Sequence, residues 1–351
     1  MYIKIYFAND NNMKKIIRNK YNILLPILIL NIISIIYLSE TPYITKHIIF
    51  LFISYILLII CSKINIKLLL KLSPLLYLIS IFLLIIVLIV GKEINGAKAW
   101  IHIAGFSIQP SEITKLILSI YLPYTLLKKK KTTSLFILTI IPTILTFLEP
   151  DTGAIIFYFI ILLSTLKYAN INKKVIITTL SIITAFIIFN ITTYISNKEL
   201  LIDIYGTNIF YRIDRLISFK NKDNIQTTNS LISIGAKNLL YIPENHNDFI
   251  FAATISKYPT SFTIIITAYI ILFLLIIKKQ SNKKNISNII NLIILNTLLF
   301  QTFYNIFMNL SLVPIIGIPL PFISYGGSYS TTLYILIGLS INLNTNNKKV
   351  V

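Results

Sequence analysis

Residues 241–253 read YIPENHNDFIFAA and place three ionisable side chains, Glu244, His246 and Asp248, directly before an apolar run. The chain has 351 residues but only 12 acidic residues and 3 histidines, so this cluster is unusual within it. Ionisable groups beside an apolar run are typical of an aqueous loop that meets a membrane. Partial desolvation raises the pKa of a carboxyl group, and Asp248 in such a place would suit a general base. We interpret the rest of the chain as a membrane scaffold that holds this loop.

The composition excludes an ordinary soluble domain. Hydrophobic residues make up 56% of the chain and charged residues 13%, and the mean hydropathy is +0.79. Apolar runs long enough to cross a bilayer as helices recur along the sequence. Isoleucine is abundant everywhere, so we discount it as a signal for strands. The single cysteine, Cys61, excludes an intramolecular disulfide.

The apolar runs predict an all-α, polytopic membrane protein with about ten transmembrane helices. A single membrane domain would cover residues 1–351. The predicted spans are 22–38, 46–61, 73–90, 111–127, 133–148, 153–170, 175–195, 260–277, 287–309 and 329–343.

The basic residues predict the orientation of these spans. If both termini are cytoplasmic, the cytoplasmic segments hold 21 of the 32 Lys and Arg residues and one of the 12 acidic residues. This segregation follows the positive-inside rule. Residues 1–21 and 344–351 would be cytoplasmic tails, and residues 196–259 one large extracytoplasmic loop. The net charge of +20 therefore reflects orientation and anionic lipid headgroups, and no nucleic-acid partner is expected.

Three further charged motifs lie at or beside the predicted outer surface. Glu112 and Lys115 are three residues apart on one helix face, either as a structural ion pair or as part of a polar cavity. Asp151 precedes a span, where a helix cap would also explain it. Arg212 and Arg215 are either solvated charges or a clamp for a pyrophosphate, a task that suits forked guanidinium donors.

Irregular backbone is predicted near the end of the chain. Residues 301–330 read QTFYNIFMNLSLVPIIGIPLPFISYGGSYS, with three prolines and a pair of glycines after the apolar start. Proline and glycine interrupt helices, and interrupted backbone at membrane depth must face protein or water. We expect a re-entrant or cavity-lining segment that contains Ser324, Gly326 and Gly327.

Together these motifs resemble the SEDS family (shape, elongation, division and sporulation), typified by RodA and FtsW. The resemblance rests on four stretches in the family's order: NGAKAWI with QPSEITK (95–101 and 109–115), EPDTG (149–153), YIPENHNDFIFA (241–252) and GIPLPFISYGGS (317–328). It implies a peptidoglycan glycosyltransferase that polymerises lipid II at the outer face of the bacterial cytoplasmic membrane. The chain departs from the family's pattern in its shortened glycine-containing segment at 234–239.

The resemblance also implies residue roles and partners. The family's essential acid falls on Asp248, its QPSExxK residues on Glu112 and Lys115, and its PDxG aspartate on Asp151. Glu244, His246, Arg212, Arg215, Ser324, Gly326 and Gly327 would join these in binding substrate. The implied partners are lipid II, undecaprenyl pyrophosphate, a class B penicillin-binding protein and other membrane proteins of elongation or division complexes. No cofactor is assigned, and a divalent cation is left open.

Two questions stay open at this point. The RodA-like branch, which serves elongation, is preferred from NGAKAWI, GFSIQPSE, GIPLPF and the short C-terminal tail, with an FtsW-like septal polymerase as the alternative. A flippase for the lipid-linked precursor and a non-catalytic scaffold are the competing functions.

Overall fold

The structure is a computed structural model that describes residues 21–345, except 95, 104–105, 130–131, 170–172, 206, 208–218, 220–224, 239 and 281–282. Its helices are α1 Leu24–Leu38, α2 Ile44–Cys61, α3 Ile66–Val90, α4 Pro110–Lys129, α5 Thr132–Leu148, α6 Thr152–Leu166, α7 Lys173–Ser196, α8 Lys198–Tyr205, α9 Ile225–Ala236, α10 Ile250–Lys257, α11 Ser261–Lys278, α12 Ile286–Asn309 and α13 Gly327–Thr345. The chain is therefore mostly helical, as predicted.

Each of the ten predicted spans overlaps one of the longer helices, although the predicted span 153–170 extends past the end of α6 at Leu166. In the described part of the chain, four helices meet both the length and the hydropathy expected of a membrane span, namely α2, α3, α11 and α12. Three shorter apolar helices, α1, α5 and α6, accompany them. That all ten runs cross a membrane, and on which side the termini lie, stay predictions.

A small antiparallel sheet corrects the all-α prediction. Its strands are β1 Lys92–Ile94, β2 Ala97–Ile103 and β3 Phe106–Ile108, in the order β1-β2-β3. Ile94 pairs with Ala97, the intervening sequence is Asn-Gly, and Gly96 has a φ of +75°. Asn-Gly is the strongest short hairpin signal because both residues tolerate positive φ. The sheet was not predicted because the abundance of isoleucine along the chain masks its value as a strand signal.

Two hydrophobic clusters meet along α4 and α12. The larger joins α1, α2, α10, α11, α12 and α13 with the segment 320–325, and it includes residues at the start of α3 and in α4. The smaller joins α3, α4, α5 and α6 with α12. Gly338 of α13 permits the close approach of α2, because a Cβ there would lie 2.5 Å from the Leu58 carbonyl oxygen. In this packing, the segment 241–249, which precedes α10, rests on α12 and on the irregular segment before α13.

Candidate functional site

A tight turn presents the Asp248 side chain. Glu244 has a φ of +58°, and its carbonyl oxygen accepts hydrogen bonds from the backbone N–H groups of Asn247 at 3.0 Å and Phe249 at 3.1 Å. Phe249 is fully buried and anchors the end of the turn. The polar cluster and the apolar run after it thus act together, because the buried run fixes the turn that carries the acid.

Two asparagines of α12 hold the backbone of this turn. Asn305 and Asn309 each donate an Nδ2 hydrogen bond to the Asp248 carbonyl oxygen, at 2.8 Å and 3.0 Å. Asn305 also donates to the Ile318 carbonyl oxygen at 2.7 Å, and Asn309 accepts from the Ala252 backbone N–H at 3.0 Å. Neither residue was predicted from the sequence. Their signal was two amides four residues apart, on one face of an apolar helix.

The glycine-containing segment before α13 lies directly against the turn. The Ser324 hydroxyl donates to the Asn247 carbonyl oxygen at 2.7 Å, and the Tyr325 backbone N–H donates to the His246 carbonyl oxygen at 3.0 Å. Gly317 has a φ of +73°, and a Cβ there would lie 3.3 Å from Asp248 Oδ2. Two motifs more than 60 residues apart in the sequence therefore form one site.

Burial determines the protonation of this site. The pKa of Asp248 is raised to about 7, mainly because burial disfavours its charge and also because Glu244 lies nearby. Burial lowers the pKa of His246, and Glu244 only partly offsets this effect. His246 Nε2 and Glu244 Oε2 are 3.7 Å apart. A pKa near 7 leaves part of the Asp248 carboxyl groups deprotonated near neutral pH, which suits a general base.

A second polar cluster surrounds Glu112 and Lys115 of α4. Lys115 Nζ donates to Glu112 Oε1 at 2.5 Å, and both residues are buried. Glu112 Oε2 also accepts from the Thr332 hydroxyl of α13 at 3.2 Å, and the Lys115 ammonium lies 4.6 Å from the centre of the Phe157 ring. The predicted pairing is thus present in the structure. Its role in substrate binding stays a prediction.

Asp151 caps α6 and also bonds to the start of α4. Its Oδ1 accepts from the Ala154 backbone N–H at 3.1 Å, which confirms the capping interpretation. Its Oδ2 accepts from Gln109 Nε2 at 2.7 Å and from the Ser111 hydroxyl at 2.8 Å. Asp151 therefore joins the EPDTG motif to the QPSEITK motif.

The two clusters meet at a pair of glycines. A Cβ on Gly153 would lie 3.7 Å from the Ile316 carbonyl oxygen and 3.9 Å from that of Gly317. Gly317 in turn faces Asp248. This contact sets the EPDTG motif beside the turn that carries the candidate base.

The remaining predicted site residues are Gly326 and Gly327, which make other contacts, and two arginines that the structure does not describe. Gly327 packs against α2, because a Cβ there would lie 2.7 Å from the Phe50 ring. The Gly326 carbonyl oxygen accepts a backbone hydrogen bond within the first turn of α13. Arg212 and Arg215 lie outside the described residues, so the pyrophosphate clamp stays a prediction. Among the residues that the structure describes, no group of three or more His, Cys, Asp or Glu side chains is placed to hold a metal ion.

This fold and site define a helical membrane protein with a half-buried acid beside a glycine-containing segment. A family model described as a cell cycle protein, FTSW_RODA_SPOVE, matches residues 21–349. The chain belongs to this family, the SEDS family that its motifs resemble.

Relatives of known name agree with this assignment. The chain is 31% identical, over an alignment 382 positions long, to a protein of Wigglesworthia glossinidia brevipalpis named "Probable peptidoglycan glycosyltransferase FtsW", covering 94% of this chain and 95% of that protein. It is 33% identical to a protein of the same name from Buchnera aphidicola subsp. Baizongia pistaciae, covering 86% of this chain and 85% of the other.

Solved structures share the fold. A chain of a peptidoglycan synthase complex, described as coordinating polymerization and crosslinking, superposes with a TM-score of 0.78 at 19% identity, covering 94% of this chain and 98% of that one. The rod shape determining protein RodA of Thermus thermophilus superposes with a TM-score of 0.68 at 19% identity, covering 93% and 96%.

Proposed function

We propose that this protein is a peptidoglycan glycosyltransferase that polymerises lipid II, with Asp248 as the general base. The observation that carries the proposal is the half-buried Asp248 carboxyl, whose pKa is raised to about 7 beside Glu244. A base is most effective when its pKa lies near the working pH. The relatives named peptidoglycan glycosyltransferase support the reaction class.

The chemistry is a single displacement with inversion at the sugar carbon. Asp248 takes the proton of an acceptor sugar hydroxyl. At the same time the hydroxyl oxygen forms a bond to the donor sugar carbon that carries the lipid pyrophosphate. The bond from that carbon to the pyrophosphate oxygen breaks, and the lipid pyrophosphate leaves as an anion. Lys115, Arg212 and Arg215 are the proposed sources of positive charge for this leaving group.

The proposed setting is the outer face of the bacterial cytoplasmic membrane. All ten predicted spans would cross the bilayer, both termini would be cytoplasmic, and residues 196–259 would form the large extracytoplasmic loop. The segregation of basic residues supports this orientation. A class B penicillin-binding protein is the proposed partner, which the likeness to a chain of a peptidoglycan synthase complex supports.

A division role is the second candidate for the biological process. The motifs alone favoured the RodA-like branch and elongation. The relatives compared above are named FtsW, which favours a septal polymerase. Replacement of the chromosomal gene by a depletable copy would separate the two, because loss of a septal polymerase blocks division whereas loss of an elongation polymerase abolishes rod shape.

The direct test is glycan synthesis from lipid II by the purified protein, with and without its partner. Asp248→Asn keeps the shape of the side chain but removes the base, and the rate should fall by ~10²–10⁴. Asp203→Asn is the matched control, because Asp203 is an exposed acid of the same predicted loop. Polymerisation by Asp248→Asn at the rate of the control would eliminate Asp248 as the base.

A further inference from the structure

Three aromatic rings from distant parts of the chain meet beside the Asp248 turn. Tyr43, in the turn between α1 and α2, stacks on His246 with ring centres 4.0 Å apart and planes 12° apart. Tyr325 lies against both rings, 5.2 Å from Tyr43 and 5.8 Å from His246. All three side chains stay partly exposed. We call these three residues the aromatic platform.

The platform is fixed to the same backbone as the candidate base. The Tyr325 N–H bonds to the His246 carbonyl oxygen at 3.0 Å, and His246 is two residues before Asp248. The Phe50 ring of α2 lies 6.0 Å from Tyr325 and fills the space that Gly327 leaves open. Because α2 can approach α13 this closely, Tyr43 reaches His246. The platform is therefore connected to the backbone turn that carries Asp248.

The chemistry of the platform suits a sugar ring. Stacked aromatic rings offer flat apolar faces, which match the C–H face of a pyranose, and tyrosine adds a hydroxyl at the polar edge. His246 is neutral near pH 7, because burial lowers its pKa, so the platform carries no fixed positive charge for a phosphate group. The rings therefore favour the sugar part of a lipid-linked substrate over its pyrophosphate.

We propose that Tyr43, His246 and Tyr325 form a subsite that stacks one sugar ring of lipid II beside Asp248. This proposal rests on the proposed function and adds a substrate subsite to it. A sugar held on the platform would keep its neighbouring hydroxyl close to the Asp248 carboxylate. Such positioning converts a diffusional encounter into an oriented one.

The test compares lipid II, which carries a disaccharide and its stem peptide on the pyrophosphate, with undecaprenyl pyrophosphate, which carries neither. Equilibrium binding of labelled lipid II and of undecaprenyl pyrophosphate is measured in nanodiscs, with Asp248→Asn as the background so that no turnover occurs. Tyr43→Ala should weaken lipid II binding roughly tenfold and leave undecaprenyl pyrophosphate binding unchanged. Tyr43→Phe keeps the ring and should restore lipid II binding. Tyr241→Ala is the control, because Tyr241 is 82% exposed in the same loop.

The outcomes separate this proposal from the function on which it rests. If the Asp248→Asn protein binds lipid II and Tyr43→Ala binds it equally well, the subsite is wrong while the polymerase proposal stands. If Tyr43→Ala loses both lipids equally, the platform supports the fold or the pyrophosphate site instead of a sugar. If lipid II binds no better than undecaprenyl pyrophosphate even with Tyr43 intact, the subsite is again refuted. Failure to bind either lipid would contradict the proposed function itself.

Discussion

Gly317→Ala should reduce catalysis by displacing the candidate base. An alanine Cβ at this position would lie 3.3 Å from Asp248 Oδ2, so the carboxyl group would have to shift by a few tenths of an ångström. Since a misplacement of 1 Å can cost about 10²-fold in rate, we expect a loss of roughly tenfold. The added methyl group also excludes water from the carboxyl, so the pKa of Asp248 should rise further.

Gly96→Ala provides a closely matched control. The φ of Gly96 is +75° and that of Gly317 is +73°, but nothing lies within 4 Å of a Cβ on Gly96. Both substitutions should cost about 1–2 kcal/mol in stability, because an L-residue is strained at such angles. Only the Gly317 variant should also lose rate. Comparison of the two variants therefore separates the effect of backbone strain from the effect of the contact with Asp248.

The assay is the initial rate of glycan synthesis from labelled lipid II at several pH values, together with thermal unfolding of both variants. The expected result is equal destabilisation, with a lower rate and a rate–pH curve displaced to higher pH for Gly317→Ala alone. Equal rates for the two variants across the pH range would refute the close contact between Gly317 and the base.

Two further predictions concern stability. Glu149 is fully buried, its carboxyl oxygens lack hydrogen-bond partners within the described part of the chain, and burial together with Asp151 raises its pKa to about 9 from the usual 4.5. An acid with a raised pKa stabilises the fold at low pH, and this stabilisation is lost as pH rises from about 4.5 towards 9. Between pH 4 and pH 7 the wild type should therefore lose on the order of 3 kcal/mol of stability that Glu149→Gln keeps. Chemical unfolding with the same pH slope in both proteins would contradict this. Lys115→Met should destabilise the protein by about 3–5 kcal/mol, because Glu112 stays buried without its lysine partner. The double variant with Glu112→Gln should recover most of this loss in the same unfolding measurement. Equal instability of the single and double variants would argue against the pair.

The sequence was most informative about the long apolar helices. Their length and hydropathy depend on local composition, so each of the ten predicted runs overlaps a helix of the structure. The sheet at residues 92–108 shows where local reasoning failed. The Asn95-Gly96 hairpin signal was present, but the isoleucine content of the chain obscured it.

The site could be predicted only in part, because most of its contacts join distant segments. The resemblance and the polar cluster pointed to Asp248, and the spacing of Glu112 and Lys115 predicted their pairing. The hydrogen bonds from Asn305 and Asn309 to the Asp248 turn depend on how α12 packs, which no local pattern reveals. The same holds for Tyr43, whose stacking on His246 requires α2 and α13 to meet.

The measurement that tests the central claim most directly is the pH dependence of glycan synthesis, in the wild type and in Glu244→Gln. If Asp248 is the base, the wild-type rate should rise with pH through a midpoint near 7, because only the deprotonated carboxylate accepts the proton. Glu244→Gln removes the neighbouring negative charge, so the pKa of Asp248 should fall and the midpoint should move to lower pH. A wild-type rate that does not change between pH 5 and 9, or a midpoint that Glu244→Gln leaves in place, would contradict the assignment of Asp248 as the base.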